Sequence, residues 1–433
     1  MSEPEEILER IARGAPPPTE GFDGVRRRRR RREARRRAAA LVVAVLVAVP
    51  GAWLGFRALS GLGGERAPSY PAIGPGNVSG ISVVWQRQTG GLSGSSVTSD
   101  GTAVYVGTTS GTLVALDPVD GSEVWTTQLD GLVNTEPAAA GGRVYVHTST
   151  GTLYAFPRSC RTTCEPLWTG QTGSTASTPP TVAAGSVYVV SNQGRLLAFP
   201  VDCGSGGAVC KASWVAGTDQ HLPVQVAVSG DVVWDSSSTR LLPFAADCGT
   251  GGADCSPLTD GFHPATALSS PPAVSSNVVY VGGGDGSLYA VSTACSQDAG
   301  ACRPLWVGRT GGAIVSAPVV AGDAVYVGSD DGRVYDFPAL CRTDGGACQP
   351  TWFGRTGGPI GQSPAVTGGI VFVCSGDGIY AFSASAISRG KADPLVHMTL
   401  GSRTLEPVVW THRIVLVPTR SGTLFALAGR KSP

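Results

Sequence analysis

Ten of the eleven cysteines in the 433-residue chain occur as five close pairs, each in a short loop. Zinc sites favour pairs with two to four intervening residues that converge with histidine or further cysteine on one point. Most of these pairs have six intervening residues and none has a neighbouring histidine, so we predict disulfides, which require an oxidising compartment. The predicted bridges are Cys160–Cys164, Cys203–Cys210, Cys248–Cys255, Cys295–Cys302 and Cys341–Cys348. The remaining Cys374 is interpreted as a small buried residue.

Few other residues have types and spacing suited to catalysis. Asp219 and His221, within GTDQHLPVQ, are candidate bases, but such residues are equally common in turns. Asp285, Asp331 and Asp377 each precede a glycine. Asp-Gly supplies the positive φ that tight hairpins need, so we interpret these three as turn residues.

An apolar strand of about five residues recurs eight times from residue 83 onward, at steps of 40 to 46 residues. Its central residues are Tyr105, Tyr145, Tyr188, Trp234, Tyr280, Tyr326, Phe372 and Leu416. A fixed period of this length, carried by alternating apolar strands, is typical of a propeller or a solenoid.

Each repeat supplies four strands with tight turns, and the fourth usually contains tryptophan. The last repeat lacks its fourth strand, whereas a surplus strand with Trp85 precedes the first repeat. We therefore predict an all-β fold, an eight-bladed propeller of four-stranded antiparallel blades over residues 83–430, closed by the N- and C-terminal strands. An open solenoid is the alternative. Each cysteine loop precedes a fourth strand and is expected to hold that strand in its own blade.

The stretch ALDPVDGSEVW (115–125) resembles the tryptophan-bearing repeat of pyrroloquinoline-quinone (PQQ)-type β-propellers, and the likeness extends over about residues 83–429. That family includes calcium- and quinone-dependent dehydrogenases, and non-enzymatic scaffolds such as the propeller lipoprotein of outer-membrane barrel assembly. Its enzymes hold PQQ with calcium, a carboxylate base, an arginine and, in many members, a vicinal disulfide. This sequence has no adjacent cysteines and no long insertions between repeats. We therefore expect no cofactor, with a PQQ- and calcium-dependent oxidoreductase as the alternative.

One face of a propeller collects the loops between blades and the turns between second and third strands. The residues entering the first strands on that face are Ser96, Glu136, Pro179, Gln225, Pro271, Ala317, Ser363 and Glu406. The candidate ligand-facing residues are Ser96, Glu136, Gln225, Ser363 and Glu406. Two carboxylates near a channel mouth can bind a cation, although acidic loop residues are also commonly just solvated.

The N-terminus differs in composition from the repeats. Residues 1–37 carry 12 arginines against seven acidic residues, and the remaining chain has a net charge of −4. The apolar run at 38–56 is long enough, at about 1.5 Å per residue, to cross a roughly 30 Å hydrocarbon core. The arginines place the N-terminus in the cytoplasm. A cleaved signal peptide and a lipoprotein are the alternatives, but neither a clear cleavage site nor a nearby cysteine follows.

The sequence therefore predicts a single-pass protein of the bacterial cell membrane, with a cytoplasmic tail (1–37), a signal-anchor helix (38–57), a Gly/Pro/Ser-rich linker (58–82) and an extracytoplasmic propeller. The propeller has no basic footprint for nucleic acid. We expect a monomeric, non-catalytic binding or scaffold module. Besides the lipid bilayer, its expected partner is an envelope protein or surface polymer. An envelope sensor that signals through the tail is a further alternative.

Overall fold

The computed structural model describes residues 70–91, 97–175, 178–218, 225–297, 302–341, 344–376, 378–385, 390–405, 408–410 and 413–429. These residues form eight small β-sheets and two short 3-10 helices, Val78–Gly80 and Thr293–Ser296. No helix within these ranges is long and apolar enough to cross a membrane. The predicted tail and span at 1–57 lie outside the described residues.

The eight sheets are blades 1 to 8 in chain order, and their strands occupy successive positions from the centre of the ring outward. The innermost strands are β2 (Val97–Ser99), β6 (Ala138–Ala140), β10 (Thr181–Ala183), β15 (Ala227–Ser229), β19 (Ala273–Ser275), β23 (Val319–Ala321), β28 (Ala365–Thr367) and β33 (Val408–Trp410). The second strands are β3 (Val104–Gly107), β7 (Arg143–His147), β11 (Ser186–Ser191), β16 (Val232–Ser236), β20 (Val278–Gly282), β24 (Ala324–Ser329), β29 (Ile370–Ser375) and β34 (Ile414–Pro418).

The third strands are β4 (Thr112–Leu116), β8 (Thr152–Pro157), β12 (Arg195–Pro200), β17 (Leu241–Ala245), β21 (Ser287–Ser292), β25 (Arg333–Pro338), β30 (Gly378–Ser383) and β35 (Thr423–Ala428). The fourth strands are β5 (Glu123–Gln128), β9 (Trp168–Gln171), β14 (Trp214–Gly217), β22 (Pro304–Arg309), β27 (Trp352–Arg355), β32 (Val396–Thr399) and β1 (Ser82–Gln88). Neighbouring strands at these four positions pair antiparallel within each blade.

Both faces of each blade are buried because the blades pack face to face around the ring. The ring of Trp168 in blade 2 packs against Tyr145 of its own blade, at 5.9 Å between centroids, and stacks on Phe199 of blade 3 at 6.3 Å. A Cβ at Gly170 would lie 2.7 Å from the Phe199 ring, so the close approach of the two blades requires glycine there. Alternating aromatic and small residues therefore set the spacing between blades.

Strands from opposite ends of the propeller close the ring, as predicted. The first strand β1 pairs antiparallel with β35, with Trp85 opposite Ala426 and Gln88 opposite Thr423. The innermost strands β2 and β33 also lie side by side. This pairing excludes the open solenoid. Tryptophans then join consecutive blades: the indole N–H groups of Trp85 and Trp306 donate to the backbone oxygens of Pro118 and Ala339, at 3.0 and 3.2 Å.

The prediction of uniform four-stranded blades is wrong in part, because the described blades contain three to five strands. Blades 2, 3, 5 and 6 gain a fifth, parallel strand, whereas blade 4 has only three. The fifth strands are β13 (Ala208–Cys210), β18 (Ala253–Cys255), β26 (Gly346–Cys348) and β31 (Gly390–Ala392). Each is supplied by the loop that follows the third strand of the next blade.

All five predicted disulfides form, with Cα–Cα distances of 5.4 to 6.0 Å, and Cys374 is buried. Their expected role is corrected, because the cysteine loops cover the outer edge of the preceding blade. The second cysteine ends a fifth strand in three loops, and Cys302 bridges to Phe262 of blade 4. The bridges therefore clamp short strands that cover edges otherwise open to unwanted pairing.

Removal of one disulfide should destabilise both the blade that carries it and the blade whose edge its loop covers. We expect the double variant Cys341→Ser/Cys348→Ser to lower the free energy of unfolding by about 2 kcal/mol, the loop-closure estimate for this loop length. Because β26 pairs with β22, amides of Trp306–Gly308 in blade 5 should also exchange faster. Hydrogen exchange checks this prediction, and faster exchange confined to blade 6 would contradict it.

Candidate functional site

The face that collects the inter-blade connections is built by backbone hydrogen bonds to the second-to-third-strand turns. The amides of Thr109, Ser149 and Asp330 donate to the carbonyls of Gly91, Leu132 and Ala313, at 2.9, 2.9 and 3.0 Å. These bonds recur in blades 1, 2 and 6 and hold each turn against the loop that enters the same blade. We call this surface the loop face.

Three of the predicted ligand-facing residues occupy equivalent positions at the inner rim of this face. Glu136, Gln225 and Ser363 each lie two residues before an innermost strand and are half-buried. Pro179, Pro271 and Ala317 occupy the same position in their blades. Ser96 and Glu406 lie outside the described residues, so whether they lie beside Glu136 stays a prediction.

Three consecutive blades, 8, 1 and 2, carry the same turn motif, T-x-[ST]-G-T, on the loop face. The turns span residues 419–423, 108–112 and 148–152. Within each turn the hydroxyls at the first, third and fifth positions of the motif are 2.8 to 3.4 Å from one to the next. The central hydroxyl is exposed in every copy.

In each of these three blades, an exposed glutamine of the fourth strand forms a hydrogen bond with the last threonine of the turn. Thr423 Oγ1 donates to Gln88 Oε1 at 2.8 Å, and Thr112 Oγ1 donates to Gln128 Oε1 at 3.2 Å. In blade 2, Gln171 Nε2 donates to Thr152 Oγ1 at 3.3 Å. We call these three turns and three glutamines the hydroxyl–amide sector. Its groups both donate and accept hydrogen bonds, as contact with peptide groups or sugar hydroxyls requires.

The sequence interpretation did not identify this sector. Its signal was nevertheless present, because the T-x-[ST]-G-T motif and the glutamine that follows 16 to 19 residues later recur in blades 1 and 2. In blade 8 the matching glutamine belongs to β1 at the other end of the propeller. The sector therefore emerges fully only once the ring is closed.

Blades 5 and 6 present charged groups at the corresponding positions. Asp285 accepts from the Ser287 hydroxyl at 2.8 Å and from Arg309 at 2.7 Å. Burial acts to raise the pKa of Asp285, but these hydrogen bonds outweigh it and hold the pKa at about 2. Asp331 accepts from the backbone N–H of Arg333 at 3.1 Å. Both aspartates are turn residues, as interpreted from the sequence, and Asp377 lies outside the described residues.

The histidine in blade 2 is buried rather than available at a surface site. His147 Nε2 lies 2.9 Å from Thr172 Oγ1, and burial lowers its pKa to about 4, so the ring is neutral at physiological pH. Asp219 and His221 lie outside the described residues. No group of three or more His, Cys, Asp or Glu side chains is placed to hold a metal ion within the part of the chain that the structure describes.

Asp336 is a buried carboxyl at the junction of blades 6 and 7. It stands between Tyr326 and Trp352 across the sheet, where most repeats have alanine. Burial raises the pKa of Asp336 to about 6, although a hydrogen bond with Thr351 opposes the shift. Its Oδ1 and the indole N–H of Trp352 are both buried without a hydrogen-bond partner among the described residues. The ionised side chain is therefore poorly accommodated.

The raised pKa predicts a pH-dependent penalty on folding. The unfolded carboxyl has a pKa of about 3.9, so the folded state binds the proton more tightly and stability falls as pH rises from about 4 to 6. We expect Asp336→Ala to raise the free energy of unfolding by about 1–3 kcal/mol at pH 7.5 and to lose most of that advantage near pH 4. Urea titrations of both proteins at the two pH values measure this difference. An equal effect of the substitution at both pH values would contradict the prediction.

Comparison with known proteins gives a family and a fold. The family described as outer membrane protein assembly factor BamB matches residues 79–175 and 211–345, which together are more than half of the chain. A search of the curated proteins finds no match.

Several solved structures share the propeller. BamB from Moraxella catarrhalis has a TM-score of 0.61 at 14% identity, over 80% of this chain and 99% of that one. The computationally designed protein Ika8 has a TM-score of 0.62 at 14% identity, over 79% and 99% of the two chains. Chaetomium thermophilum Sqt1, solved bound to the N-terminus of ribosomal protein L10, has a TM-score of 0.64 at 13% identity, over 79% and 98%. These identities show the fold alone, and the family match shows that the chain belongs to the outer membrane protein assembly factor BamB family.

Proposed function

We propose that this chain is a non-catalytic binding or scaffold module whose loop face contacts an envelope protein or a surface polymer. Membership of the BamB family supports a scaffold role and does not imply a cofactor. The observation that carries the proposal is the hydroxyl–amide sector, in which paired hydroxyl and amide groups repeat over three adjacent blades. A rigid surface with its side chains already hydrogen-bonded loses little entropy when a partner docks.

The loop-face proposal is tested with charge substitutions in the native cell. Gln128→Lys/Gln171→Lys places two cations in the sector, and Val209→Lys is the control, because Val209 is 75% exposed on a cysteine loop. Proximity crosslinking should lose its main product with the double variant and keep it with the control. If the crosslinked product is retained in the double variant but lost with Val209→Lys, the contact surface is the cysteine loops and the loop-face proposal is wrong.

We also propose that residues 38–57 anchor the protein in the cell membrane, with the propeller on the extracytoplasmic side. The five disulfides support an oxidising compartment, and the arginines before the apolar run favour a cytoplasmic N-terminus. Deletion of residues 38–57 should move the protein from the membrane to the soluble fraction. Free thiols at the ten paired cysteines in protein from intact cells would contradict the proposed location.

The oxidoreductase alternative has a direct test. The full chain is reconstituted with PQQ and calcium, and dye reduction is followed over a panel of alcohols and sugars. We expect no turnover above the cofactor-only control. Turnover that is saturable in substrate would overturn the non-catalytic proposal and leave the fold unaffected.

A further inference from the structure

The outer edge of most blades is covered by the blade that follows. The fifth strands β13, β18, β26 and β31 pair in parallel with β9, β14, β22 and β27. Single parallel bridges do the same for blades 1 and 4, at Thr126–Thr163 and Phe262–Cys302. Each covering segment is supplied by the loop after the third strand of the next blade. This arrangement protects edges that would otherwise present unpaired backbone groups.

Blade 7 departs from this arrangement because of how the ring closes. By analogy with the other blades, the outer edge of blade 7 should be covered by the segment that precedes β1, because β1 is the fourth strand of blade 8. In the covered blades, the third residue of the fifth strand lies four positions before the tryptophan position of the next blade, as Cys348 lies before Trp352. The residue at the same distance before Trp85 is Ile81.

The segment that ends at Ile81 does not form a strand. Residues Val78–Gly80 form a 3-10 helix, and the amides of Asn77 and Val78 both bond to the carbonyl of Gly74, at 3.1 and 2.9 Å. No described residue pairs with the outer edge of β32, the fourth strand of blade 7.

The exposure of β32 agrees with an uncovered edge. In β9, β14 and β27 the first and third residues are buried. In β32 the corresponding Val396 and Met398 are only half-buried, and His397 and Thr399 are exposed. Val396 and Met398 pack on the core of blades 7 and 8, so the strand itself is fixed in place. The outer edge, with which no described residue pairs, therefore belongs to a strand that is already ordered.

We propose that the outer edge of β32 binds an extended segment of a partner protein, which adds a parallel fifth strand to blade 7. The register follows from the four covered blades, in which three residues pair with the first three residues of the fourth strand. The segment would therefore lie opposite Val396, His397 and Met398. This proposal specifies the edge at which the proposed scaffold function recruits protein, and strand addition is an established mode of peptide recognition.

The covered blades also define the chemistry of the segment. The fifth strands read Ala-Val-Cys, Ala-Asp-Cys, Gly-Ala-Cys and Gly-Lys-Ala. The third residue is buried in every copy, whereas the middle residue is exposed. The partner segment thus needs a small residue, then any residue, then a second small residue. The exposed middle position explains how valine, aspartate, alanine and lysine are all accepted there.

Hydrogen exchange on the full chain tests whether the edge is open. Amides of Val396–Thr399 should exchange about tenfold or more faster than those of Trp352–Arg355, whose outer edge is covered by β31. Equal protection of the two strands would overturn the proposal, because it would mean that another part of this chain or a second copy already occupies β32.

Thiol trapping tests the binding and its register. The probe is a linear peptide with the sequence of residues 343–350 carrying A347C and C348A, so that its cysteine aligns with position 397. His397→Cys should give about tenfold more mixed disulfide with this peptide than Lys391→Cys, the control on the outermost strand of blade 6. Equal trapping by the two variants, or a His397→Cys homodimer as the main product, would overturn the proposal. The Gln128→Lys/Gln171→Lys variant should leave the trapping unchanged, so failure of the loop-face contact remains distinguishable from failure at this edge.

Discussion

Removal of residues 1–88 should abolish the cooperative unfolding of the propeller, whereas removal of residues 1–69 should leave it unchanged. The longer deletion removes β1, which supplies the outer strand of blade 8 and pairs with β35 from Ser82–Ala428 to Gln88–Thr423. It also removes Ile73 and Val78, which are 2% and 0% exposed in the core of blades 7 and 8. A typical domain is stable by only roughly 5–15 kcal/mol, so we expect the loss of a whole strand and of this packing to unfold it.

Circular dichroism during heating measures both deletions. The shorter deletion is the matched control, because it keeps Tyr70, whose carbonyl accepts from Arg413 at 2.6 Å, and every residue of β1. A peptide of residues 70–91 added to the longer deletion should restore part of the transition. A sharp transition in the longer deletion without added peptide would show that blade 8 is stable with three strands and that closure contributes little.

Trp306→Ala should lower the free energy of unfolding by about 3–5 kcal/mol, which is typical for a large aromatic removed from a packed core. Trp306 is 1% exposed and its ring lies 5.9 Å from Tyr280 and 6.2 Å from Phe337 of the next blade. The substitution empties the space between blades 5 and 6. It also removes one of two donors to the Ala339 carbonyl, the other being the Tyr280 hydroxyl at 3.0 Å.

Trp306→Phe separates the packing from the hydrogen bond. It keeps most of the apolar volume and loses the indole N–H, so we expect a smaller loss of about 1–2 kcal/mol. Urea denaturation followed by far-UV circular dichroism gives both values. A loss below about 1 kcal/mol for the alanine variant would mean that adjacent blades collapse into the space, contrary to the close packing observed.

The repeat, the closure and the disulfides were all predictable because each leaves a local signal. The anchor residues recur at a nearly fixed period, and Trp85 at one end supplies the strand that the last repeat lacks. Each cysteine lies four or seven residues from its partner. The fifth strands were not predictable in this way. They are only three residues long, and they pair with a fourth strand of the preceding blade. Nothing in the sequence of that fourth strand indicates that it will be paired on its outer side.

Blade 4 shows why the four-strand prediction fails where the repeat weakens. Trp234 takes the place that tyrosine has in most blades, and Thr259 takes the place of the fourth-strand tryptophan. Trp234 is fully buried, and Phe262 bridges to Leu241 where a fourth strand would run. In blade 4 the tryptophan is therefore in the second strand, whereas in most other blades it is in the fourth. The volume between blades is filled in a different way, and the regular fourth strand is lost.

The candidate site was predicted only at the level of position. Glu136, Gln225 and Ser363 lie at equivalent places because the repeat fixes where each innermost strand begins. The hydroxyl–amide sector was missed, because serine and threonine in turns are usually read only as turn formers. The buried state of Asp336 depends on Tyr326, Trp352 and the facing blade, contacts that composition alone does not specify.

The pairing of β1 with β35 also dictates an order of events during biosynthesis. Among the strands of the propeller the ribosome makes β1 first and β35 last, so the ring stays open until β35 has emerged, and contacts of such long sequence separation form slowly. The cysteine loops have no such constraint, since each can oxidise as soon as its own few residues are available. Nascent chains should therefore form their disulfides blade by blade and close the ring only after β35 has emerged.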